Sequence, residues 1–225
     1  MVKAIVFDTE VNSLDSKEVV ELAIARIDEG MSLPLEVFDV ELERFNPTHP
    51  FEAGAVARHG ILPCDVVGCR PSFDAALPDA DYYIGHNVDF DMEVMRIIGG
   101  KRICTLALCR YLWPEFRNHK LASVYLELKG MTKEAVADIK NAHSADADVR
   151  LTVYILGEII KKLAGRVKSL ADLYDVSEIA RIPIVWTFGK HVGTRLDETP
   201  KGYIRWMMDQ SNVDPYLMKA LKALV

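Results

Sequence analysis

Three short segments of the chain concentrate groups that hold hard cations and move protons. Phe7-Asp8-Thr9-Glu10 comes first, His86-Asn87-Val88-Asp89-Phe90-Asp91 second, and His143-Ser144-Ala145-Asp146-Ala147-Asp148 third. Among their six acids and two histidines are the four carboxylates and one histidine that a two-metal phosphodiester hydrolase needs. Cutting a phosphodiester at neutral pH requires a hydroxide and relief for the charge that builds on the phosphoryl oxygens. Two divalent ions about 4 Å apart supply both. Magnesium and manganese take oxygen ligands. Crowded carboxylates repel one another unless cations fill the space between them. A neutral imidazole nearby can take the proton of the attacking water.

Each segment also has a plainer reading. Asp8 and Glu10 lie two apart on an expected strand, where side chains at i and i+2 share a face, so both can reach one ion. Asp-x-Glu is also common as an exposed strand end. Asp91 and its neighbour Asp89 both open an expected helix, where acids are favoured by the helix dipole. His143 and Asp148, five apart at the start of a long helix, read equally as an exposed histidine and a solvated acid. The force of the pattern lies in the combination.

The elements that must carry these residues alternate between strand and helix. Val2 to Phe7 is almost wholly apolar and reads as a buried central strand ending at Asp8. Glu18 to Ile27 and Leu35 to Arg44 read as two more strands, giving a three-stranded antiparallel meander. Short helices are expected over Phe51 to Ala57 and Ser72 to Leu77, around the loop His59-Gly60-Ile61-Leu62-Pro63. Asp81 to Gly85 reads as a strand, Phe90 to Ile98 as a helix stopped by Gly99-Gly100, and Ile103-Cys104-Thr105 as the fifth strand. Helices follow near Leu106 to Leu112 and Leu121 to Leu128, and a long one over Ala145 to Leu163. The pattern changes beyond about Gly165. Val185 to Gly193 alternates like a small hairpin, and Tyr203 to Met208 reads as one face of a helix. The expected division is a domain over 1–168 and a small C-terminal module over 180–225, the latter a candidate nucleic-acid contact.

The 225 residues, half of them hydrophobic, fit an ordinary globular protein. No apolar stretch approaches the roughly 20 residues of a membrane helix, and the N-terminal apolar run is too short for a signal peptide. The expectation is a cytoplasmic protein with no membrane partner. Cys64-x4-Cys69 and Cys104-x4-Cys109 lack the Gly-rich turns of zinc knuckles and read as reduced thiols. A net charge of −6 runs against a long duplex footprint. Several of the acids are candidate metal ligands, however, and residues from about 166 onward carry a slight excess of Lys and Arg. That balance suits a short strand end.

In this order, Asp-x-Glu, His-Asn-x-x-Phe-Asp and His-x-Ala-x-x-Asp resemble the DEDDh branch of 3′–5′ exonucleases, built on the RNase H-like fold shared with polymerase proofreading subunits. Ile103-Cys104-Thr105 with Arg110-Tyr111-Leu112-Trp113-Pro114, then Thr187-Phe188-Gly189-Lys190 and Gly202-Tyr203-Ile204-Arg205-Trp206, are similar to the bacterial exonuclease X group within it. The resemblance implies an α/β fold with a mixed five-stranded sheet flanked by helices. It implies metal ligation by Asp8, Glu10, Asp91 and Asp148, with Asp8 bridging two Mg²⁺ (Mn²⁺ able to substitute) and His143 as general base. It places the backbone of Thr9 to Val11 at the terminal 3′ hydroxyl. Leu14 and the His59-Gly60-Ile61 loop would pack on the last bases, contacts that tolerate any sequence, and Asn87 would hold the site's shape. The chain departs from the family after the first Glu, where Val11-Asn12-Ser13 replaces the usual Thr-Thr-Gly.

The function implied is a metal-dependent 3′–5′ exodeoxyribonuclease, acting on single-stranded or frayed DNA ends in repair or end trimming and releasing nucleoside 5′-monophosphates. A homodimer is one open assembly. Two rivals stand beside this reading: an exoribonuclease of the same fold, since the 2′-OH is read by pocket details, and a non-catalytic nucleic-acid-binding module.

Overall fold

The chain was analysed as a computed structural model, which describes residues 3–27, 39–141 and 143–225. Strand β1, Ala4–Val11, is apolar on both faces over its first half and lies in the middle of the sheet. Strand β2, Val19–Ile27, runs antiparallel to it, with Ala4 opposite Ile27 and Glu10 opposite Glu21, and the register shifts between Glu10 and Val11. Strand β3, Glu41–Asn46, continues the meander on the far side of β2. The sequence places this strand over 35–44. Residues 35–38, like Val2 of the first strand, lie outside the described residues, and pairing continues past Arg44 because Phe45 is fully buried.

On the other side of β1, strand β5 (Tyr82–Gly85) and then β6 (Lys101–Cys104) pair in parallel. The sheet gains a sixth strand at its opposite edge, β4, only Arg70–Pro71, paired in parallel to β3. Its brevity hides it from sequence periodicity, and Pro71 restricts it to an edge. The helix expected over 72–77 is instead one 3₁₀ turn, Ser72–Asp74, fastened by the Ser72 hydroxyl donating to the Val19 carbonyl at 2.7 Å.

Helix α1 is Ala53–His59, closed by Gly60 in the left-handed conformation. Helix α2, Val88–Val94, begins two residues earlier than expected, because Asn87 itself turns left-handed at φ 81°. It also ends early, at Val94, and Arg96 just beyond it turns left-handed at φ 55°, which stops the helix before Gly99 is reached. Helices α3 (Thr105–Leu112) and α4 (Leu121–Lys129) lie close to their expected spans. Helix α5, Lys133–Asp138, was not anticipated, although Thr132 caps it by accepting from the Ala135 N–H at 3.1 Å.

Helix α6, Ala145–Lys162, is the main support of the sheet. Val149, Thr152, Val153, Leu156, Ile159 and Ile160 recur at helical spacing and are all buried. They pack the helix against β1 and β2, with α3 and α4 alongside. Among the described residues no helix is long and apolar enough to cross a membrane.

The chain divides into two compact units, Met1–Ser177 and Glu178–Val225, and the division falls inside α7, Leu170–Ala180. The second unit has its own core of Trp186, Leu196, Ile204, Met207, Leu217 and Leu221. Its helices are α8, Lys201–Met208, and α9, Pro215–Lys222. The expected hairpin over 185–193 is reduced to a single antiparallel bridge between Val185 and Arg195, because Gly189 and Gly193 both take positive φ and turn the chain before a ladder can grow.

Candidate active site

Asp8 and Glu10 leave β1 on one face, as their spacing requires. The strand does not end at Asp8, as expected, but continues to Val11 because β2 goes on pairing with it. Parallel pairing to β5 stops at Val6, however. From Asp8 onward the β5 side of the strand is therefore free to take other partners. Asp91 of α2 fills that position. The Thr9 N–H and the Thr9 hydroxyl both donate to Asp91 Oδ1, at 3.0 and 2.6 Å. Thr9, read from sequence as a substrate contact, thus fixes the third carboxylate against the first two. Asp89 is directed elsewhere, to Arg102 at 2.9 Å.

Asp148 comes from the first turn of α6. One ligand atom each from Glu10, His143 and Asp148 lies within 4.8 Å of the others, close enough for a single cation. His143 is exposed, sits at φ 75°, and its N–H donates to Asp148 Oδ1 at 3.2 Å. Asp146 instead lies beside Arg150 and the Ser144 hydroxyl.

The electrostatics of the group are those of an anion trap without its cations. Burial pushes the Asp8 carboxyl well above its ordinary value, and the charges of Asp91, Asp148 and Glu10 push it further. Burial raises Glu10 to about 8 and Asp91 to about 7, the latter against the two hydrogen bonds from Thr9. Burial raises Asp148 as well, opposed by the His143 N–H. Four carboxylates in one low-dielectric space are stable as anions only with positive charge among them. An all-oxygen donor set beside an imidazole fits magnesium or manganese.

Sequence reading missed three supporting residues. Glu21, 1 % exposed on β2, accepts from the Ala145 N–H at 2.9 Å and from Arg44 Nε at 2.9 Å. It does the work of an N-cap for α6 and so sets the height of Asp148; a lone acid inside Val-Val-Glu-Leu-Ala-Ile was the available signal. Asn12 is fully buried. Its side-chain amide donates to the carbonyls of His49 and Pro50, and its Oδ1 accepts from the Glu18 N–H and the Ser16 hydroxyl. These bonds close the loop after β1 that lacks the family's glycine. Arg58, exposed near the end of α1, faces the carboxylates and draws the values of Asp8, Glu10 and Asp148 back down. No spacing rule pointed to it.

The remaining predicted residues surround this centre. Val11 is buried, and Leu14 is 68 % exposed at the tip of the Asn12-closed loop. Lys17 ties that loop to α2 through Glu93 at 2.7 Å. The α1 entry is joined to the loop by the Glu52 N–H donating to the Asn12 carbonyl at 2.9 Å. His59 Nδ1 accepts from the Ile61 N–H at 2.9 Å, shaping the turn around Gly60. Ile61 is 3 % exposed and packed on Val20 and Val66, so its side chain supports this turn from below. Asn87 is exposed and shapes the α2 entry through its backbone. His86 is structural: its Nε2 meets the His119 carbonyl at 2.8 Å and therefore carries the proton, leaving Nδ1 facing the Thr105 hydroxyl at 3.0 Å. Burial lowers its pKa to about 4.

The chain is 24% identical over 224 residues to Exodeoxyribonuclease 10 of Escherichia coli strain K12, covering 96% of each. It is 29% identical over 181 residues to DNA polymerase III PolC-type of Bacillus subtilis strain 168, covering 72% of this chain and 12% of that one. Among solved structures it is similar to exonuclease X in complex with 5′-overhanging duplex DNA, with a TM-score of 0.59 and 24% identity over 76% of this chain and 99% of that one. It is also similar to the zinc-bound E. coli exonuclease I complex with single-stranded DNA, with a TM-score of 0.58 and 20% identity over 81% and 44%. These neighbours share the RNase H-like fold. A family model described as Exonuclease matches residues 5–156, from the strand that carries Asp8 to the helix that carries Asp148, and the chain belongs to that exonuclease family.

Proposed function

We propose that this exonuclease acts on DNA in the 3′ to 5′ direction, releasing nucleoside 5′-monophosphates, with two divalent ions in the Asp8, Glu10, Asp91 and Asp148 cluster. The observation that carries the reading is the convergence of these four carboxylates, from three separate elements, beside the exposed imidazole of His143. The name of the E. coli relative and the DNA in the neighbouring structures support DNA as the substrate.

Bound divalent ions would neutralise the carboxylates, polarise the scissile phosphate and make water acidic enough to attack at neutral pH. Magnesium suits the donor set, and manganese is an acceptable substitute. Asp8, buried among the charges of Asp91, Asp148 and Glu10, would be a ligand with them. His143 takes the proton of the attacking water and, being exposed, can pass it to solvent. The backbone from Thr9 to Val11 faces the terminal sugar, and Leu14 with the Gly60 turn offers the last base a surface that reads no sequence. Arg58 balances negative charge on the phosphate during attack. The four cysteines are free thiols, which agrees with a reducing cytoplasm, where such an enzyme would trim or repair DNA ends.

The test is a timed digest of 5′-labelled DNA and RNA strands with Mg²⁺, beside Asp8→Asn. A ladder shortening from the 3′ end on DNA, absent in the variant, is expected. Trimming of RNA alone would leave the site standing and overturn the substrate. No cleavage with Mg²⁺ or Mn²⁺ would overturn the enzyme reading in favour of a binding module.

A further inference from the structure

The second unit uses its aromatic residues in two ways. Trp186 is almost wholly buried, and its indole N–H is satisfied by the Thr199 hydroxyl at 2.7 Å, so it belongs to the core. Of the rings around it, Phe188 and Trp206 are exposed, while Tyr203 and His191 are half-buried and Tyr203 packs on the core. Tyr203 lies 5.2 Å from Trp186, 4.5 Å from His191 and 5.3 Å from Trp206 between ring centres. Phe188 meets the edge of Trp186 at 6.2 Å. Phe188 is 49 % exposed and Trp206 52 %, although the unit has a core of its own.

The backbone holds these rings in place. Gly189 turns at φ 74°, and a Cβ there would come within 3.0 Å of the Tyr203 hydroxyl. The Phe188-Gly189-Lys190 turn is therefore seated on Tyr203, and a larger residue would lift it off. Lys190 follows Phe188 on this turn, and Arg205 precedes Trp206 on α8; both are exposed and without an ion-pair partner among the described residues. The unit carries seven Lys and Arg against five Asp and Glu, within a chain of net charge −6. Exposed rings interleaved with unpaired cations match a polyanion that also presents flat aromatic faces, and single-stranded nucleic acid has both properties.

We propose that Phe188, His191, Tyr203 and Trp206, with Lys190 and Arg205, form a platform on which the bases of a single strand stack, a second strand-holding site besides the carboxylate centre. This rests on the chain being a strand-processing enzyme. Stacking needs only the face of a base, so the platform would hold any sequence, as an exonuclease that moves along its substrate requires. Each stacked base contributes about 5- to 150-fold in affinity.

The test uses the full chain. Binding of a fluorescent 20-nucleotide single strand is measured in EDTA, which prevents cleavage. In parallel, hydrolysis of the p-nitrophenyl ester of thymidine 5′-monophosphate is measured with Mn²⁺, since one nucleotide engages the active site alone. Phe188→Ala and Trp206→Ala should each weaken strand binding about 5- to 30-fold, and Trp206→Phe by no more than about 3-fold. Ester hydrolysis should not change in any of them. Both rings are half exposed, so the variants should fold, which a melting curve checks. Lys190→Glu with Arg205→Glu tests the site without touching its packing, and should weaken binding and flatten its salt dependence. Strand affinities within twofold of the parent in the alanine and the charge-reversal variants would overturn the platform, and a change in sedimentation instead would make this a self-association face. Loss of strand binding in Trp206→Ala from a protein that never cleaves the ester would leave the platform standing and remove the active-site reading.

Discussion

The carboxylate centre and the aromatic face of the second unit are built on opposite principles. The centre gathers acids from positions 8 to 148, buries most of them, and fixes two through named neighbours: Thr9 for Asp91, and Glu21 with the His143 N–H for the start of α6 and Asp148. The face draws its rings and cations from the short span between Phe188 and Trp206 and leaves them half in water. Chemistry on a phosphate demands positioning within fractions of an ångström, and only rigid elements meeting in a core provide it. Stacking on a base tolerates slack. On the proposed reading, burial concentrates where bonds would be broken, and exposure where a strand need only be held.

The sharpest way to break the contrast is at its most constrained point. Asp8→Asn should lower nuclease turnover roughly 10³-fold or more while strand binding in EDTA stays near the parent value. A comparable loss of binding would mean that the centre, not the aromatic face, does the holding.

Glu21→Ala tests whether the supporting shell matters as much as the ligands. It strips the buried Ala145 N–H and Arg44 of their partner and should cost about 2–4 kcal/mol in urea unfolding. Turnover should fall with it in the folded protein, since Asp148 loses its reference height. Unchanged turnover would show that the metal alone sets the geometry.

Removing divalent ions should expose the strain of the centre. Glu10 at about 8 and Asp91 at about 7 lie above their ordinary values. The folded state therefore keeps protons that the unfolded chain has already released. Its advantage is complete below the ordinary carboxylate range and is lost as pH rises through 7 and 8. Melting temperature in EDTA should fall over that window, recover with Mg²⁺ at pH 8, and fall less in Glu10→Gln. His86 acts with the opposite sign: lowered to about 4, it contributes stability above pH 6.5 that is lost as pH falls towards 4. A melting temperature in EDTA that is flat from pH 6.5 to 8.5 would contradict the crowding of these carboxylates.

The smallest effect is expected at Arg58. Arg58→Ala should slow turnover about tenfold, less than loss of a buried donor because Arg58 is exposed. It should also lower the Mg²⁺ concentration for half-maximal rate, since a competing cation is gone. A slower enzyme with unchanged metal dependence would place Arg58 on the strand and away from the carboxylates.

Local pattern carried a large share of this molecule into view. The apolar run into Asp8, the 3.6-residue repeat of α6 and the order of the three acidic segments are all properties of neighbouring residues. They sufficed for the sheet's central strands, its long helix and the candidate ligands. Helix α9 could have been read too, from Asp214 accepting the N–H groups of Tyr216 and Leu217 ahead of Pro215. The two-residue strand β4 could not, because two residues have no period.

The sequence by itself determined which side chains were available for chemistry, and, once its apolar run marked a strand, that Asp8 and Glu10 share a face, because every strand alternates its side chains. Tertiary structure alone decided that Glu21 sets the start of α6 and that Arg58 faces the acids. It also decided that Trp186 is core while Trp206 stays in water. Each of those outcomes depends on contacts between elements tens of residues apart or on which helix face meets the core, and burial and hydrogen-bond partners come into being only when those elements pack.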